Sequence, residues 1–288
     1  MNLRRIRKKI RAVSNVKKIT NAMQLVSAIK MKKAQQKALE SKPYRQLLTF
    51  MIQKVASSNL EESYSYLLSE SNPLSQKDLV ILITSNKGLC GGFNFNIFRF
   101  LTKEVDFKKV DFITVGGKGA LFVKKMGGEI IADFSSPYEE DKVSAIFKTT
   151  LDLFLKGEYR NVFLIYNQFL SAVRFEPIKK RIFPIKIEET SLKFEKTERV
   201  KKEYLIEPSA EKIIDSALKA MVEVEIYGAL IESEAAEHSA RMMAMKNATD
   251  NASDVIYNLT LLRNRVRQEK ITYELLDMVT AKESVEKS

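Results

Sequence analysis

The stretch "IDSALKAMVEVEIYGALIESEAAEHSARMMAMKNATDNASDVIYNLTLLRNRV", Ile214 to Val266, contains no proline and a single glycine, Gly228. Counting from Ile214 in alternate steps of three and four residues reaches Ala217, Met221, Val224, Gly228, Ile231, Ala235, His238, Met242, Met245, Thr249, Ala252, Ile256, Leu259, Arg263 and Val266; thirteen of these sixteen positions are apolar or small, against a hydrophobic background of 45%. A 3.5-residue repeat sustained this long is the mark of a left-handed coiled coil. The proline-free span runs on from Ser209 to Ser288; at 1.5 Å per residue, seventy-odd residues of helix reach on the order of 110 Å, several times the width of a small domain.

A helix of that length needs a partner, and the other end of the chain offers one. Leu3, Ile6, Ile10 and Val13 keep the same spacing; Val16 then arrives one residue early, and Ile19, Met23 and Val26 resume it. The early step predicts a stammer, a local overwinding of the supercoil. Pro43 is expected to kink or end this helix, with an amphipathic continuation from Tyr44 to about Ser58. The two helices pack most simply antiparallel on each other; the alternative partner for each is a second copy of the chain.

Between the helices the pattern changes. Strand-like runs at 78–85, 110–116, 129–134 and 161–169 alternate with helical runs near 96–105, 118–126 and 139–157, which predicts a parallel sheet covered on both faces. A last extended run, Arg174 to Ile185, carries two prolines that suit a sheet edge. The charged stretch from Glu188 to Tyr204 reads as a linker. The expected fold class is therefore α/β, a long antiparallel coiled coil of N- and C-terminal helices with an inserted Rossmann-like domain. Its expected parts are an N-terminal helix over 1–58, the α/β domain over 76–190 and a C-terminal helix over 208–285.

The glycine-rich loop "SNKGLCGGFN", Ser85 to Asn94, follows the first strand, where α/β sheets hold phosphates. Its spacing fits neither phosphate pattern: Lys87 precedes the first glycine, Phe93 follows the last, and Gly88, Gly91 and Gly92 are not spaced G-x-G-x-x-G. No acidic residue stands where a ribose-binding carboxylate belongs; "VGGKG", Val115 to Gly119, occupies that place. The single histidine, His238, falls on the helical seam, and the single cysteine, Cys90, can form no internal disulfide. Neither a catalytic set nor a Cys/His metal cluster is expected, and no cofactor.

The formal charge of +12 is concentrated at one end: residues 1–40 carry twelve bases and one acid, whereas residues 208–288 carry ten bases and fourteen acids. A nucleic-acid or anionic-membrane patch, a cleavable transit segment and a helix face with an acidic partner all fit the basic end. The opposite sign of the other end favours the last. No run approaches the roughly 18 apolar residues of a membrane span.

Four blocks together resemble the gamma subunit family of F-type ATP synthases: "KKITNAMQLVSAIKMKKAQ" (Lys17 to Gln35), the loop Ser85 to Asn94, "ARMMAMKNATDNA" (Ala240 to Ala252) and "RQEKITYELLDMVT" (Arg267 to Thr280). They occur in the family's order and span nearly the whole chain. The block at the C-terminal end departs at Ala281-Lys282, where the family usually has Gly-Ala. The resemblance implies a non-catalytic rotor of the central stalk, coupling proton-driven rotation of the membrane ring to the alpha/beta head. It implies that Met23, Arg241, Arg267, Gln268, Thr272 and Glu274 are coupling contacts with beta-subunit loops, and that Tyr204 and Glu207 belong to a foot facing the ring and the epsilon subunit. Its implied partners are the alpha, beta and epsilon subunits and the c-ring, with no nucleic acid and no direct membrane insertion. The implied location is peripheral, on the cytoplasmic face of a bacterial cell membrane or the inner face of an organelle. The loop then serves the domain's fold, its glycines permitting tight backbone geometry. Two other classes stay open: a Rossmann-like enzyme with a coiled-coil dimerisation arm, and a coiled-coil nucleic-acid binder. Residues 1–40 contain no aromatic side chain on which a base could stack, which weighs against the second.

Overall fold

The computed structural model describes residues 3–58, 76–135, 142–185, 207 and 210–286. Two long helices frame the chain, α1 (Leu3–Ser58) and α5 (Ala210–Glu286). Between them lie β1 (Asp78–Ile83), α2 (Phe93–Glu104), β2 (Val110–Val115), α3 (Gly117–Lys125), β3 (Glu129–Asp133), α4 (Lys142–Leu155), β4 (Asn161–Ser171) and β5 (Arg174–Phe183). Pro43 lies inside α1 and does not end it. The linker expected over 188–204 falls outside the described residues. By contacts the chain divides into two compact units, one of residues 1–28 with 241–288 and one of residues 29–240.

In the larger unit the five strands form one sheet in the order β3-β2-β1-β4-β5. β1 runs parallel to both β2 and β4, and β5 returns antiparallel beside β4 as an edge. The edge position tolerates Pro177, which has no N–H to give a further neighbour. Alternate residues of β1 serve opposite faces. Val80 and Leu82 pack with Ile97 and Leu101 of α2, Val123 of α3 and Phe112 of β2. Leu79, Ile81 and Ile83 pack with Ile146 and Phe154 of α4, and with Leu48 and Ile52 of α1 and Leu218, Val222 and Ile226 of α5. A strand covered on both sides must be apolar throughout, which is why β1 reads as a run and not an alternation. Each fully buried Leu or Ile here contributes about 1.5–3 kcal/mol. Both long helices are thus part of this unit's core. Ala34 meets Ile231 and Ala235 in a separate small cluster, two small residues letting the helices approach closely.

In the smaller unit α1 and α5 run antiparallel, with Thr20 Oγ1 and Thr249 Oγ1 2.7 Å apart. The α5 positions counted in the sequence that fall in this unit, Met242 to Val266, are buried or half-buried, as are those from Ile214 to His238 in the larger one. The phase expected for α1 is wrong beyond Val13. Val16, Ile19 and Val26 are 52%, 59% and 54% exposed, whereas Thr20 and Ser27 are buried. The seam runs without a stammer through Lys17, Thr20, Gln24 and Ser27, keeping the spacing set by Leu3, Ile6, Ile10 and Val13. Hydroxyls are tolerated there because each reaches an acceptor: Thr20 Oγ1 lies 3.1 Å from the Lys17 carbonyl, and Ser27 Oγ donates to the Met23 carbonyl at 2.7 Å.

Candidate coupling surfaces

The loop after β1 is closed by its own hydrogen bonds. The Ser85 N–H donates to Asn94 Oδ1 (3.3 Å), Asn94 Nδ2 donates to Ser85 Oγ (2.7 Å) and to Cys90 Sγ (3.3 Å), and Ser85 Oγ donates to the Lys87 carbonyl (2.8 Å). The start of α3 is equally engaged: Gly117 N–H donates to Asn86 Oδ1 (2.9 Å), Lys118 N–H to the Ser85 carbonyl (3.1 Å) and Gly119 N–H to Thr84 Oγ1 (2.9 Å). At the start of α3, the donors that would cradle a phosphate are spent on the chain itself.

The glycine demand lies mostly outside the loop. Gly91 does adopt φ +53°, but the loop's other left-handed residue is Leu89 (φ +63°). A Cβ at Gly88 would meet nothing within 4 Å, and one at Gly92 only the Asn96 side chain at ordinary distance. The two closest approaches are in "VGGKG". At Gly116 (φ +106°) a Cβ would stand 2.1 Å from the Thr84 carbonyl oxygen, and at Gly119 2.6 Å from Thr84 Oγ1.

In a sheet of this order the ligand crevice opens at the carboxyl ends of β1 and β4. Here a helix fills it. Ala236 and Ala240 of α5 are buried in one cluster with Cys90 and Phe93, flanked by Phe169 and Phe175. Asn167, buried on β4, donates Nδ2 to the Phe93 carbonyl at 3.0 Å. Polar ties fasten α5 on either side: Ser239 Oγ donates to the Ala172 carbonyl, Tyr166 Oη to Glu232 Oε2 (3.3 Å), and Lys180 Nζ to Glu225 Oε2 (2.6 Å). Burial, and then the Glu232 charge, raises the Tyr166 hydroxyl above its ordinary range. Burial also raises the Glu232 carboxyl, against the pull of Arg45.

His238 is buried on α5, its Nε2 3.6 Å from Glu234 Oε1, and this polar contact holds the Glu234 carboxyl below the usual value. Of the six residues expected to couple, Met23 is half-buried on α1 and Arg241 is buried. Arg267, Gln268, Thr272 and Glu274 are exposed along one run of α5. Thr272 Oγ1 donates to the Gln268 carbonyl (3.0 Å), and Glu274 pairs with Lys270 (3.2 Å), both within the helix. Glu207 is exposed, and Tyr204 lies outside the described residues.

Two features escaped the sequence reading. Arg7, Arg11, Lys18 and Arg263 line a basic groove of about 550 Å³ with Ile10, Ser14 and Asn15. From Arg267 to Lys282 every residue of α5 is exposed, including Ile271, Tyr273, Leu275, Leu276, Met278 and Val279. The signal for the second was present, because the counted seam stops at Val266.

These features define a class: two long terminal helices with an α/β domain between them in sequence, whose ligand crevice is occupied by one of those helices. The family model described as ATP synthase matches residues 2–285, and the chain is 36% identical over 295 residues to the ATP synthase gamma chain of Geobacter metallireducens, covering 99% of each. The chain belongs to the ATP synthase gamma chain family. It is also 38% identical over 283 residues to the gamma chain of Pelotomaculum thermopropionicum, covering 96% of this chain and 97% of that one. Its fold matches a chain of the Euglena gracilis mitochondrial ATP synthase (OSCP/F1/c-ring, rotational state 3) with a TM-score of 0.67 at 18% identity, covering 98% of this chain and 94% of that one. A chain of the Tetrahymena thermophila mitochondrial enzyme (central stalk/c-ring) gives 0.56 at 22% identity over 80% of this chain and 99% of that one. Among the described residues no helix is long and apolar enough to cross a membrane.

Proposed function

We infer that this chain is the central-stalk rotor, the gamma subunit, of an F-type ATP synthase, and that it carries no catalytic residue. It turns with the membrane c-ring and imposes its asymmetry on the alpha/beta head, where nucleotide chemistry occurs. The observation that carries this reading is the uncovered end of α5. A helix exposing six large apolar side chains over nine residues is marginal alone in water and calls for a surrounding sheath. Alpha and beta subunits supply one. Arg267, Gln268, Thr272 and Glu274 stand on the same exposed run and meet the beta loops, as do Met23 and Arg241 from their own helices. The foot at Tyr204 and Glu207 meets the epsilon subunit and the ring, placing the protein peripherally on the cytoplasmic face of a bacterial cell membrane, or the corresponding organellar face. The enzyme alternative is disfavoured by the crevice, which Ala236, Ala240 and Phe93 fill.

A tagged chain expressed with the other subunits should co-purify alpha and beta in excess over itself, and calorimetry on the isolated chain should give no saturable ATP heat. Purification without alpha and beta, or micromolar ATP affinity of the isolated chain, overturns the reading.

A further inference from the structure

Between Lys17 and Ser27, α1 offers α5 two seams. One is the polar set Lys17, Thr20, Gln24 and Ser27, which faces inward; the other is the apolar set Val16, Ile19, Met23 and Val26, one residue earlier in the sequence and turned by about 100° around the helix. Hydrophobicity alone favours the second, and the structure has the first. Taking the second would require a local stammer, since Leu3, Ile6, Ile10 and Val13 hold the rest of the helix in phase, and overwinding opposes the gain from burial. Gain and cost are of opposite sign, so a specific contact can decide the phase.

We propose that the Thr20–Thr249 hydroxyl pair is a register pin that holds α1 with its polar seam inward and its apolar stripe facing out. Thr20 Oγ1 lies 3.1 Å from the Lys17 carbonyl and 2.7 Å from Thr249 Oγ1, which lies 2.8 Å from the Met245 carbonyl. The two hydroxyls have two protons for three contacts. The bond between the helices therefore displaces one of the two backbone bonds. A hydroxyl inside a seam is satisfied only where its partner stands opposite, so it specifies phase more sharply than an apolar pair does. In the rotor reading, on which the functional consequence rests, the pin decides which side chains the shaft presents to the subunits around it. The stripe of Val16, Ile19 and Val26, more than half exposed, is the surface presented.

The test uses the full chain with Cys90→Ala, so that the native thiol cannot compete. The antiparallel register that pairs position 20 with 249 pairs position 27 with 242. One form carries Ser27→Cys with Met242→Cys and reports the observed seam; the other carries Val26→Cys with Met242→Cys and reports the competing one. With both threonines present, oxidation should favour the 27–242 link. Thr249→Val should lower the ratio of the two links by about two- to tenfold, the worth of one net hydrogen bond, and Thr249→Ser should restore it. Thr20→Val gives the same reading should Thr249→Val not fold. A ratio unmoved by either valine variant overturns the pin. Capture of alpha and beta subunits by the same chains reports on the rotor reading separately: a preserved link preference without capture keeps the pin and removes its functional consequence.

Discussion

The two compact units use the same helices in different ways. In the larger, α1 and α5 lie on a sheet, and large apolar residues such as Leu48, Ile52, Leu218 and Ile226 are buried against it. In the smaller, among the described residues, the helices pack on each other, their contact mixes Thr20, Ser27 and Thr249 with Ile6 and Met245, and large apolar residues such as Val16, Ile19 and Leu275 face out. Charge divides the same way: the smaller unit carries sixteen basic and seven acidic residues, the larger thirty-two and twenty-nine. One unit is built to hold its shape by itself, and the other to be held by something around it.

The largest loss is expected at Gly116. Valine there meets the Thr84 carbonyl at a left-handed φ, and should cost about 4 kcal/mol or more, removing the folded larger unit from a thermal melt. Gly88→Ala, with open space around it, should leave the melt nearly unchanged. A smaller loss is expected from Ala236→Leu, which overpacks the crevice between α5 and Phe93 and should cost about 1–3 kcal/mol. In the assembled complex, if the chain turns as the proposed rotor, the same variant should reduce pumping per ATP hydrolysed, measured with a pH-sensitive dye in vesicles.

Alkaline pH sharpens the contrast. Burial, then the hydrogen bond to Asp111, raises the Tyr159 hydroxyl above its ordinary value of 10.0. A raised folded value means stability is fully present below pH 10 and is lost as the pH climbs beyond it. Base titration followed by circular dichroism should show this loss, and Tyr159→Phe should flatten the slope while costing about 1 kcal/mol at neutral pH through the lost 2.9 Å bond. The least effect on stability belongs to the smaller unit's surface. Leu275→Ser with Leu276→Ser, or Lys8, Lys9 and Arg11 all to Gln, should move the isolated chain by no more than about 0.5 kcal/mol. The leucine variant should weaken capture of alpha and beta subunits at any salt concentration, and the charge variant should weaken it chiefly at low salt.

The sheet was legible because strands covered on both faces must be apolar and their connections punctuated; all five strands and three intervening helices lie where the pattern put them. So was the α5 seam, where the 3.5-residue rule and burial agree to Val266. The α1 seam was misread because the rule ranks Val16 and Ile19 above Thr20, and cannot know that Thr249 stands opposite with a hydroxyl. Glycine spacing drew attention to the loop, whereas the tightest contacts involve Thr84, 32 and 35 positions before Gly116 and Gly119. The filled crevice was invisible for the same reason. Ala236 and Ala240 look like ordinary small helix residues until the fold sets them beside Phe93.

Seen as a binding equilibrium, the filled crevice is a receptor whose ligand is covalently attached. Its occupant cannot be diluted away, so the relevant quantity is an effective concentration set by the chain between β5 and α5. A pull on α5 that opened the contact would find the same helix ready to return, with no competitor able to outlast it. The seat of the shaft therefore behaves as a reversible joint whose resealing rate does not depend on how much protein the cell contains.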